Sequence, residues 1–426
     1  MTKKIALCLL ALFAGGLLRG QQTLSSYIAE DPERAAGVLH VYETFDTSVT
    51  PPPAGFVPFY VTHYGRHGSR YHLSNTVFDD PLAALDQAEE EGILTEDGRM
   101  LAAVLRRLRE EHDEMTGILT QTGGRQHQAI AGRLLANYPE IFSDRDRPVI
   151  HAVSSTSQRC IQSMAHFCTI LKGARPSLDV KYYTGTRFMD YISHPFKTTY
   201  LHERRNAICD SIRRADLDGT RLYAKTFSDP ERGKQLLSDD KAFKNIHEAL
   251  SIAQDMDAAI PSLLGSYFTL EEVTACNRIE NAHYFASWCG SEDFGDRYIR
   301  AVGGPLLADM VSKADEAVAG NDHAGDFRFG HDSALTPLLA LIGVEGFESR
   351  RVADAADSWP MGKYMCMASN LQMVFFRDGS GQVFVKLLRN ESETCIPGLS
   401  AVTGPYYAWD MLRAWLLERA AGEQQR

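Results

Sequence analysis

The chain has 426 residues, of which 44% are hydrophobic, 10% aromatic and 23% charged. Its length exceeds that of a typical single domain, and its apolar content excludes an intrinsically disordered chain. The formal net charge of −11 and the absence of a basic face in the sequence argue against nucleic acid as a partner.

The N-terminus has the pattern of a secretory signal peptide. Lys3 and Lys4 precede an apolar run at residues 5–18, and Arg19 and Gly20 follow it. We predict a signal peptide at residues 1–20, whose removal makes the mature chain more acidic. The run is shorter than a transmembrane helix, and no later stretch supplies ~20 apolar residues. We therefore expect no membrane span and a protein exported to the periplasm or outside the cell.

Seven cysteines follow the one in the signal segment, the first at Cys160 and the last at Cys395. An odd number leaves at least one thiol unpaired or intermolecular, and the spacing does not give the pairing. The sequence contains neither a Cys-x-x-Cys pair nor a His-Glu-x-x-His helix, so we predict no metal and no cofactor.

Taken in order, the chain opens with an irregular lead-in, predicted for residues 21–55. A strand follows at 59–64, with alternating apolar and polar residues and many β-branched or aromatic side chains. Apolar residues at helical spacing then predict helices at 80–90, 99–111 and 125–138.

The loop that follows the first strand carries Arg66, His67 and Arg70, and it is broken by Gly65 and Gly68. A guanidinium presents a fork of N–H donors that suits two phosphate oxygens at once. An imidazole can attack phosphorus and hold a phosphoryl group covalently. The pattern therefore predicts a phosphoryl-handling site; the alternative is a solvated basic turn.

A second strand, at 148–154, runs into a hydroxyl-rich turn and a helix at 160–171, with Arg159 at the helix start. Open α/β sheets bind ligands at the carboxyl ends of their strands. A cation at the positive end of a helix dipole is unfavourable unless it has a partner. We interpret Arg159 as an anion-binding residue; the alternative is a surface residue of the first helical turn.

Residues 186–325 alternate helical segments with polar loops, and we predict a mainly helical cap there. Its basic residues are interpreted either as surface charges or as contacts to further phosphates of a polyphosphorylated substrate. These residues are Lys197, Arg204, Arg205, Arg213 and Arg214.

A third strand is predicted at 327–329, and the turn at Gly330 leads into a helix that begins with His331 and Asp332. Such a pair in isolation is more typical of a helix cap. The chain then ends with strands at 372–376 and 382–388 and an amphipathic helix at 407–420.

The segment Arg66-His67-Gly68-Ser69-Arg70 is similar to the RHGxR signature of the histidine phosphatase superfamily, in its branch of acid phosphatases and phytases. Residues 51–59 and Tyr71 resemble the multiple inositol polyphosphate phosphatases of that branch. Further matches to the branch are Leu119, Thr120, Gly123, Gln126, Ser155, Thr156, Arg159, Cys160 and Ser163.

This resemblance implies an α/β fold, a three-layer sandwich with a central, mostly parallel sheet of the phosphoglycerate mutase-like type and an inserted helical cap. The expected division after the signal peptide is a first part of the core at 21–185, the cap at 186–325 and a second part of the core at 326–426.

The resemblance also implies roles for six residues. His67 would be the catalytic nucleophile and Asp332 the catalytic acid. The phosphate would be bound by Arg66, Arg70, Arg159 and His331. The inositol polyphosphate branch has His-Ala-Glu where this chain has His331-Asp332-Ser333, so the acid moves one position earlier.

The function implied is a secreted phosphomonoester hydrolase that acts through a phosphohistidine on inositol polyphosphates such as phytate. A broad acid phosphatase for sugar phosphates or other small monoesters is the alternative within enzymes. A phosphate-ester binding protein without turnover is the alternative of another class. The partner in each case is a small-molecule phosphate monoester, and the sequence does not predict the oligomeric state.

Overall fold

The structure of the chain, a computed structural model, describes residues 23–43, 47–143, 148–193, 202–216, 218–258, 260, 262–320 and 323–421. The predicted signal peptide at residues 1–20 and the basic residue Lys197 lie outside the described residues. The seven cysteines from Cys160 onward are all described, and none of them forms a disulfide with another described cysteine. Within the described ranges, no helix is long and apolar enough to cross a membrane.

Eight strands are described: β1 Val57–Arg66, β2 Val149–Ser154, β3 Asp179–Thr184, β4 His323–Gly330, β5 Asn370–Arg377, β6 Val383–Arg389, β7 Ser392–Thr394 and β8 Tyr406–Ala408. The helices that are described in the first half of the chain are α1 Leu24–Glu30, α2 Thr76–Glu90, α3 Glu96–His112, α4 Gln121–Asn137, α5 Gln158–Ala174, α6 Met189–Ile192 and α7 His202–Asp216. Those described in the second half are α8 Thr220–Thr226, α9 Pro230–Leu236, α10 Asp239–Ser251, α11 Leu264–Tyr267, α12 Leu270–Trp288, α13 Arg297–Val318, α14 Asp332–Ile342, α15 Val352–Ser358, α16 Met361–Met365 and α17 Trp409–Ala420.

The strands form one sheet in the order β3-β2-β4-β1-β5-β6-β7, with β8 paired to β6. The pairs β3/β2, β2/β4 and β4/β1 are parallel, and the pairs from β1/β5 onward are antiparallel. Parallel strands are normally buried on both faces, and the parallel half of this sheet is where the predicted site residues follow the strands.

Helices cover both faces of the sheet. On one face, Val61 and Phe327 pack with apolar residues of α4 and α5. On the other face, Tyr60 and Leu371 pack with α13, α14 and α17. Neighbouring residues of a strand point to opposite faces, which explains why Tyr60 and Val61 belong to different cores. The predicted three-layer sandwich with a parallel core is confirmed.

A separate helical part of the molecule has its own apolar core. This core joins residues of α1, α2 and α3 to residues of α8, α10 and α12. Segments on both sides of the predicted boundary between residues 185 and 186 therefore contribute to it, and α13 of the predicted cap packs on the sheet. The division into domains stays a prediction.

The predicted irregular lead-in differs from the structure. Leu24, Tyr27 and Ile28 are buried on one side of α1, and residues Pro32–Leu39 form a 3-10 helix. The Thr23 side chain caps α1 by accepting a hydrogen bond from the Ser26 N–H. The sequence analysis also did not predict the strand β3, which lies at the edge of the sheet with mostly exposed residues.

Three parallel strands end at the same edge of the sheet, because β1, β4 and β2 run in the same direction side by side. The loop after β1 carries His67, the turn after β2 leads to Arg159, and β4 leads directly into His331. The fold thus gathers three distant segments of the chain at one edge, where open α/β sheets place their ligands.

Candidate active site

The structure brings the six predicted site residues together at this edge. The rings of His67 and His331 have their centroids 5.6 Å apart. An Nη2 atom of Arg159 lies 3.5 Å from Nδ1 of His331. An Nη2 atom of Arg66 lies 3.5 Å from Oδ2 of Asp332.

His67 is held with one ring nitrogen occupied and the other available. Its Nδ1 lies 2.9 Å from the carbonyl oxygen of Gly68, which fixes the proton on Nδ1 and leaves the lone pair on Nε2. The side chain is 2% exposed. Burial, and then the charges of Arg66 and Arg70, hold the pKa of His67 well below its ordinary value. The imidazole is therefore neutral at any mildly acidic pH, as a nucleophile requires.

The tight fit of the loop after β1 fixes the direction of His67. A Cβ added at Gly68 would lie 2.5 Å from the carbonyl oxygen of Gly123, at the start of α4. The Thr120 hydroxyl donates to the carbonyl of Ser69 at 3.1 Å, and the Ser69 N–H donates to Gln126 at 2.8 Å. The segment at residues 119–126 therefore acts as scaffold for the loop.

Three guanidinium groups lie close enough at this edge for their charges to act on one another. Arg66 donates through Nη1 to the carbonyl oxygens of Val38 at 2.7 Å and Met365 at 3.0 Å, and Arg70 donates to Tyr71 at 3.0 Å. The Nε atoms of Arg66, Arg70 and Arg159 are buried, and each has no hydrogen-bond partner among the described residues.

Buried N–H donors without acceptors are costly, and an oxyanion would satisfy these Nε groups. Burial, and then the neighbouring charges of Arg66 and Arg159, lower the pKa of Arg70 to about 10. Burial also lowers the pKa of Arg159. The arrangement can accordingly bind a small, multiply charged anion.

His331 faces this group of cations from the end of β4. Its Nε2 lies 3.1 Å from the hydroxyl of Ser155 and 3.3 Å from that of Ser157. When the serine hydroxyls donate to Nε2, the proton stays on Nδ1, on the side of Arg159. Burial, and then the charge of Arg159, lower the pKa of His331 to about 4.

Asp332 is the first residue of α14 and supplies the carboxyl group of the site. Its Oδ1 accepts a hydrogen bond of 2.9 Å from the Ser333 N–H. Burial acts to raise the pKa of Asp332, but Arg66, His331 and Arg70 outweigh it and hold the pKa below its ordinary value. Ser333 occupies the position where the multiple inositol polyphosphate phosphatases have their acid. The Ser333 carbonyl oxygen accepts a hydrogen bond from the Tyr298 hydroxyl at 3.3 Å.

One further titratable residue at the site was missed by the sequence analysis. Asp255 ends the 3-10 helix Ile252–Asp255 and is fully buried. Burial raises its pKa to about 8, against the opposing effects of Ser69, Arg70 and Arg66. Neither of its carboxyl oxygens makes a hydrogen bond to a described residue. No sequence motif marks this position.

A cavity of about 750 Å³ extends from Arg70 into the helical part. It contains both basic and acidic side chains, and among the lining residues are His72, Lys244, Asp210, Glu248 and Glu280. His72 and Glu248 lie 3.5 Å apart across it. Of the basic residues of the predicted cap, Arg205 donates to the Ser287 hydroxyl at 3.1 Å, and the Arg204 guanidinium stacks on Phe294.

The fold and the site together define an α/β protein that can hold a tetrahedral oxyanion where three parallel strands end. No family model and no curated protein matches the chain. Among solved structures, it is similar to the multiple inositol polyphosphate phosphatase of Bifidobacterium longum in complex with phosphate. That match has a TM-score of 0.76 at 17% identity and covers 90% of this chain and 97% of that one.

Two phytases are also similar. The phytase from D. castellii matches with a TM-score of 0.69 at 16% identity, over 92% of this chain and 85% of that one. The phytase of Hafnia alvei matches with a TM-score of 0.54 at 12% identity, over 87% and 98%. The chain therefore has the fold of the multiple inositol polyphosphate phosphatase and the phytases, as the resemblance predicted.

Proposed function

We propose that the chain is a phosphoric monoester hydrolase that acts through a phosphohistidine on His67. One observation carries the proposal: a neutral imidazole, with its Nδ1 bonded to a backbone carbonyl, lies beside three guanidinium groups and a second imidazole where three parallel strands end. Such a site combines a nucleophile with positive charges that stabilise the oxygens of a transferred phosphoryl group.

In the first step, the phosphate of the substrate lies among Arg66, Arg70, Arg159 and His331. Their N–H groups neutralise the oxygens that would otherwise repel a nucleophile, and they stabilise the charge as it redistributes in the transition state. Because the guanidiniums are already buried in the fold, little reorganisation is required when the substrate binds.

In the chemical step, Nε2 of His67 forms a bond to phosphorus as the ester P–O bond breaks in line with it. The leaving oxygen takes a proton from Asp332. A bound phosphate dianion raises the pKa of that carboxyl towards the range where it can carry the proton. Water then attacks phosphorus and gives a proton to Asp332, and the N–P bond breaks to release inorganic phosphate.

We propose inositol polyphosphates such as phytate as the substrate class. The support is the fold that the chain shares with proteins of this kind. One of them, a multiple inositol polyphosphate phosphatase described in complex with inositol hexasulfate, matches this chain with a TM-score of 0.74 at 17% identity. The cavity of about 750 Å³ beside Arg70 has room for the remainder of a ring-sized substrate.

The charges of this cavity favour a second candidate, a broad acid phosphatase for sugar phosphates or other small monoesters. Asp210, Glu248 and Glu280 all line it, together with Lys244. Burial acts to raise the pKa of Glu248, but the bond to His72 and the charge of Lys244 lower it, so this carboxylate is ionised. Carboxylates would repel the additional phosphates of a polyphosphorylated ring.

Phosphate release from phytate and from glucose phosphates separates the two candidates. The measurement follows products over time across pH 3–8, with His67→Ala as the inactive control. A higher kcat/KM for phytate supports the inositol polyphosphate assignment. A higher kcat/KM for glucose phosphates supports the broad acid phosphatase. Release from neither substrate, nor from an aryl phosphate, would contradict hydrolysis altogether.

A non-catalytic phosphate-ester binding protein is the alternative of another class. Rapid alkaline quench of a reaction between the protein and ³²P-labelled substrate distinguishes it, because a phosphohistidine is preserved in base and lost in acid. Label that stays on the chain in base and is lost in the His67→Ala variant supports the covalent intermediate. Substrate binding without label or turnover supports a binding protein.

We also propose that the protein is exported through residues 1–20. Fractionation of cells that express the full chain, and of cells that express it without this segment, tests the proposal. The full chain should appear outside the cytoplasm in shortened form, and the truncated chain should stay inside.

A further inference from the structure

We propose that His151, His323 and Asp326 form a binding site for one divalent transition-metal ion such as Zn²⁺. The site lies on the sheet away from the phosphate-binding edge, between β2 and β4. Its three side chains offer one ligand atom each, and these atoms all lie within 4.8 Å of one another.

The distances fit a metal-centred arrangement. Nδ1 of His151 lies 3.2 Å from Oδ1 of Asp326, and Nδ1 of His323 lies 3.9 Å from Oδ2. Ligands bound tetrahedrally at zinc distances are about 3.3 Å from one another, so small side-chain rotations suffice. Two imidazoles and one carboxylate are a common zinc ligand set, with water in the fourth position.

A hydrogen bond between His151 and Asp326 does not explain why His323 lies beside them. The Nδ1 atom of His323 is buried and has no hydrogen-bond partner among the described residues. The two imidazole rings lie 4.2 Å apart, edge to face. The Tyr60 hydroxyl donates to Oδ2 of Asp326 at 2.8 Å and fixes the carboxylate. An outer partner of this kind orients the ligands in metal sites.

An irregularity in the sheet creates the cluster. In a regular strand, residues three apart point to opposite faces, so His323 and Asp326 would diverge. Here Val149 pairs with His323, but the next residue, Ile150, pairs with Gly325. Ala324 is thus the extra residue of a β-bulge, which turns His323 to the same face as Asp326.

The neighbouring cations form their ion pairs with other carboxylates. The neighbouring cation Arg328 donates through Nε to Asp309 at 2.8 Å, and Lys313 pairs with Glu316 at 2.9 Å. A cavity of about 190 Å³ opens beside His151 and Asp326 and gives room for a coordinated water. The side chains of His151 and His323 are 21% and 15% exposed, so an ion can reach them.

The site is separate from the proposed chemistry. Asp326 precedes His331 by five residues of extended chain, which places the two roughly 16 Å apart. An ion there joins β2 to β4 and stabilises the folded state in proportion to its occupancy. We therefore assign the ion a structural role.

Titration of the untagged, EDTA-treated chain with Zn²⁺ tests the site. Calorimetry should show one ion per chain, with a rise of several degrees in Tm when the ion is in excess. Co²⁺ in its place should give visible absorption typical of a four-coordinate site. Both His151→Ala and His323→Ala should lose the stoichiometric binding and the rise in Tm.

Two further variants keep the test specific. His331→Ala removes an imidazole from the phosphate-binding cavity, and His202→Ala removes an exposed one; both should bind Zn²⁺ as the unaltered chain does. Tyr60→Phe should weaken binding on the order of 10-fold by removing the outer donor. Unchanged binding in His323→Ala, or loss of binding in His331→Ala, overturns the proposal. Neither result bears on hydrolysis, which is measured separately with an aryl phosphate.

Discussion

Two opposing effects act on the pKa of Asp332, and we expect their balance to change when substrate binds. In the free site, Arg66, His331 and Arg70 overcome burial and hold its pKa below the ordinary value. The helix dipole at the start of α14 acts in the same direction. A phosphate dianion bound to the same arginines opposes both effects. We therefore expect the carboxyl group to carry a proton only when a substrate occupies the site.

Replacement of this carboxyl separates its acid role from a structural one. Asp332→Asn should slow hydrolysis of alkyl phosphates about 10²–10⁴-fold, because their leaving oxygen needs a proton. Hydrolysis of an activated aryl phosphate should slow far less. The measurement is kcat for both substrates, with circular dichroism to check the fold. Equal losses on both substrates would remove Asp332 from the acid role.

The pH dependence follows from the same residues. The pKa of His67 is well below its ordinary value, so the acid limb of the profile, where this nucleophile becomes protonated, lies well below pH 6.5. As pH rises, Asp332 in the substrate complex loses its proton and kcat for an alkyl phosphate should fall. We expect an acidic optimum whose upper limb is absent in Asp332→Asn. An upper limb unchanged in that variant would assign it to another group.

At the scale of elements, the position of His67 depends on the contact between the loop after β1 and the start of α4. Gly68 and Gly123 face each other at this contact. A Cβ at either residue would collide with backbone of the other segment, at the carbonyl of Gly123 or of Ser69. Backbone atoms cannot move aside as a flexible side chain can, so both positions require glycine.

Two glycines of the same helix provide a matched test of this contact. Gly123→Ala should lower kcat/KM at least 10-fold and lower Tm, since it displaces the loop that carries His67. Gly132→Ala adds a Cβ with no described atom within 4 Å, and should stabilise the chain by about 0.5–1 kcal/mol without loss of activity. The measurements are thermal melts and aryl phosphate hydrolysis. Equal effects of the two changes would show that the contact does not position His67.

The sequence was informative wherever one contiguous segment carries the structure. The strand, the turn and the site residue follow one another directly at Gly65–His67 and again at Phe329–His331 in the printed sequence, so both could be predicted. The central sheet was expected from the resemblance to the histidine phosphatase superfamily. Helix α1 was missed, although its apolar residues have helical spacing.

The features that could not be predicted arise between distant segments. The bulge at Ala324 depends on pairing with β2, and only that pairing unites His151 with His323. Metal ligands were sought in local motifs, and these two histidines belong to none. Asp255 likewise acquires its raised pKa from burial between distant segments, against the opposing effects of Ser69 and Arg70.

At the scale of the whole molecule, Asp255 lies where the helical part meets the loop that carries His67 and Arg70. It follows Ile252 and Ala253, which belong to the apolar core of the helical part. The charge of Asp255 acts to raise the pKa of Arg70, and so offsets part of the lowering that burial and the other arginines cause. A buried carboxyl group at this junction makes the stability of the fold dependent on pH.

The sign of that dependence follows from the pKa of Asp255, which is about 8 in the folded chain and ordinarily 3.8. Between these values the folded state holds a proton that the unfolded state has released. The contribution to stability is thus fully present below about pH 4 and is lost as pH rises through about pH 8.

Asp255→Asn has no proton to lose at this position. Its Tm relative to the unaltered chain should therefore increase as pH rises from 4 to 8, by on the order of several degrees in total. Thermal melts across pH 4–9 measure this difference. Asp86→Asn, at an exposed position, should follow the unaltered chain with a constant offset. The same constant offset for Asp255→Asn would mean that this carboxyl group does not titrate in that range, and that Arg66 and Arg70 keep it ionised in the folded state.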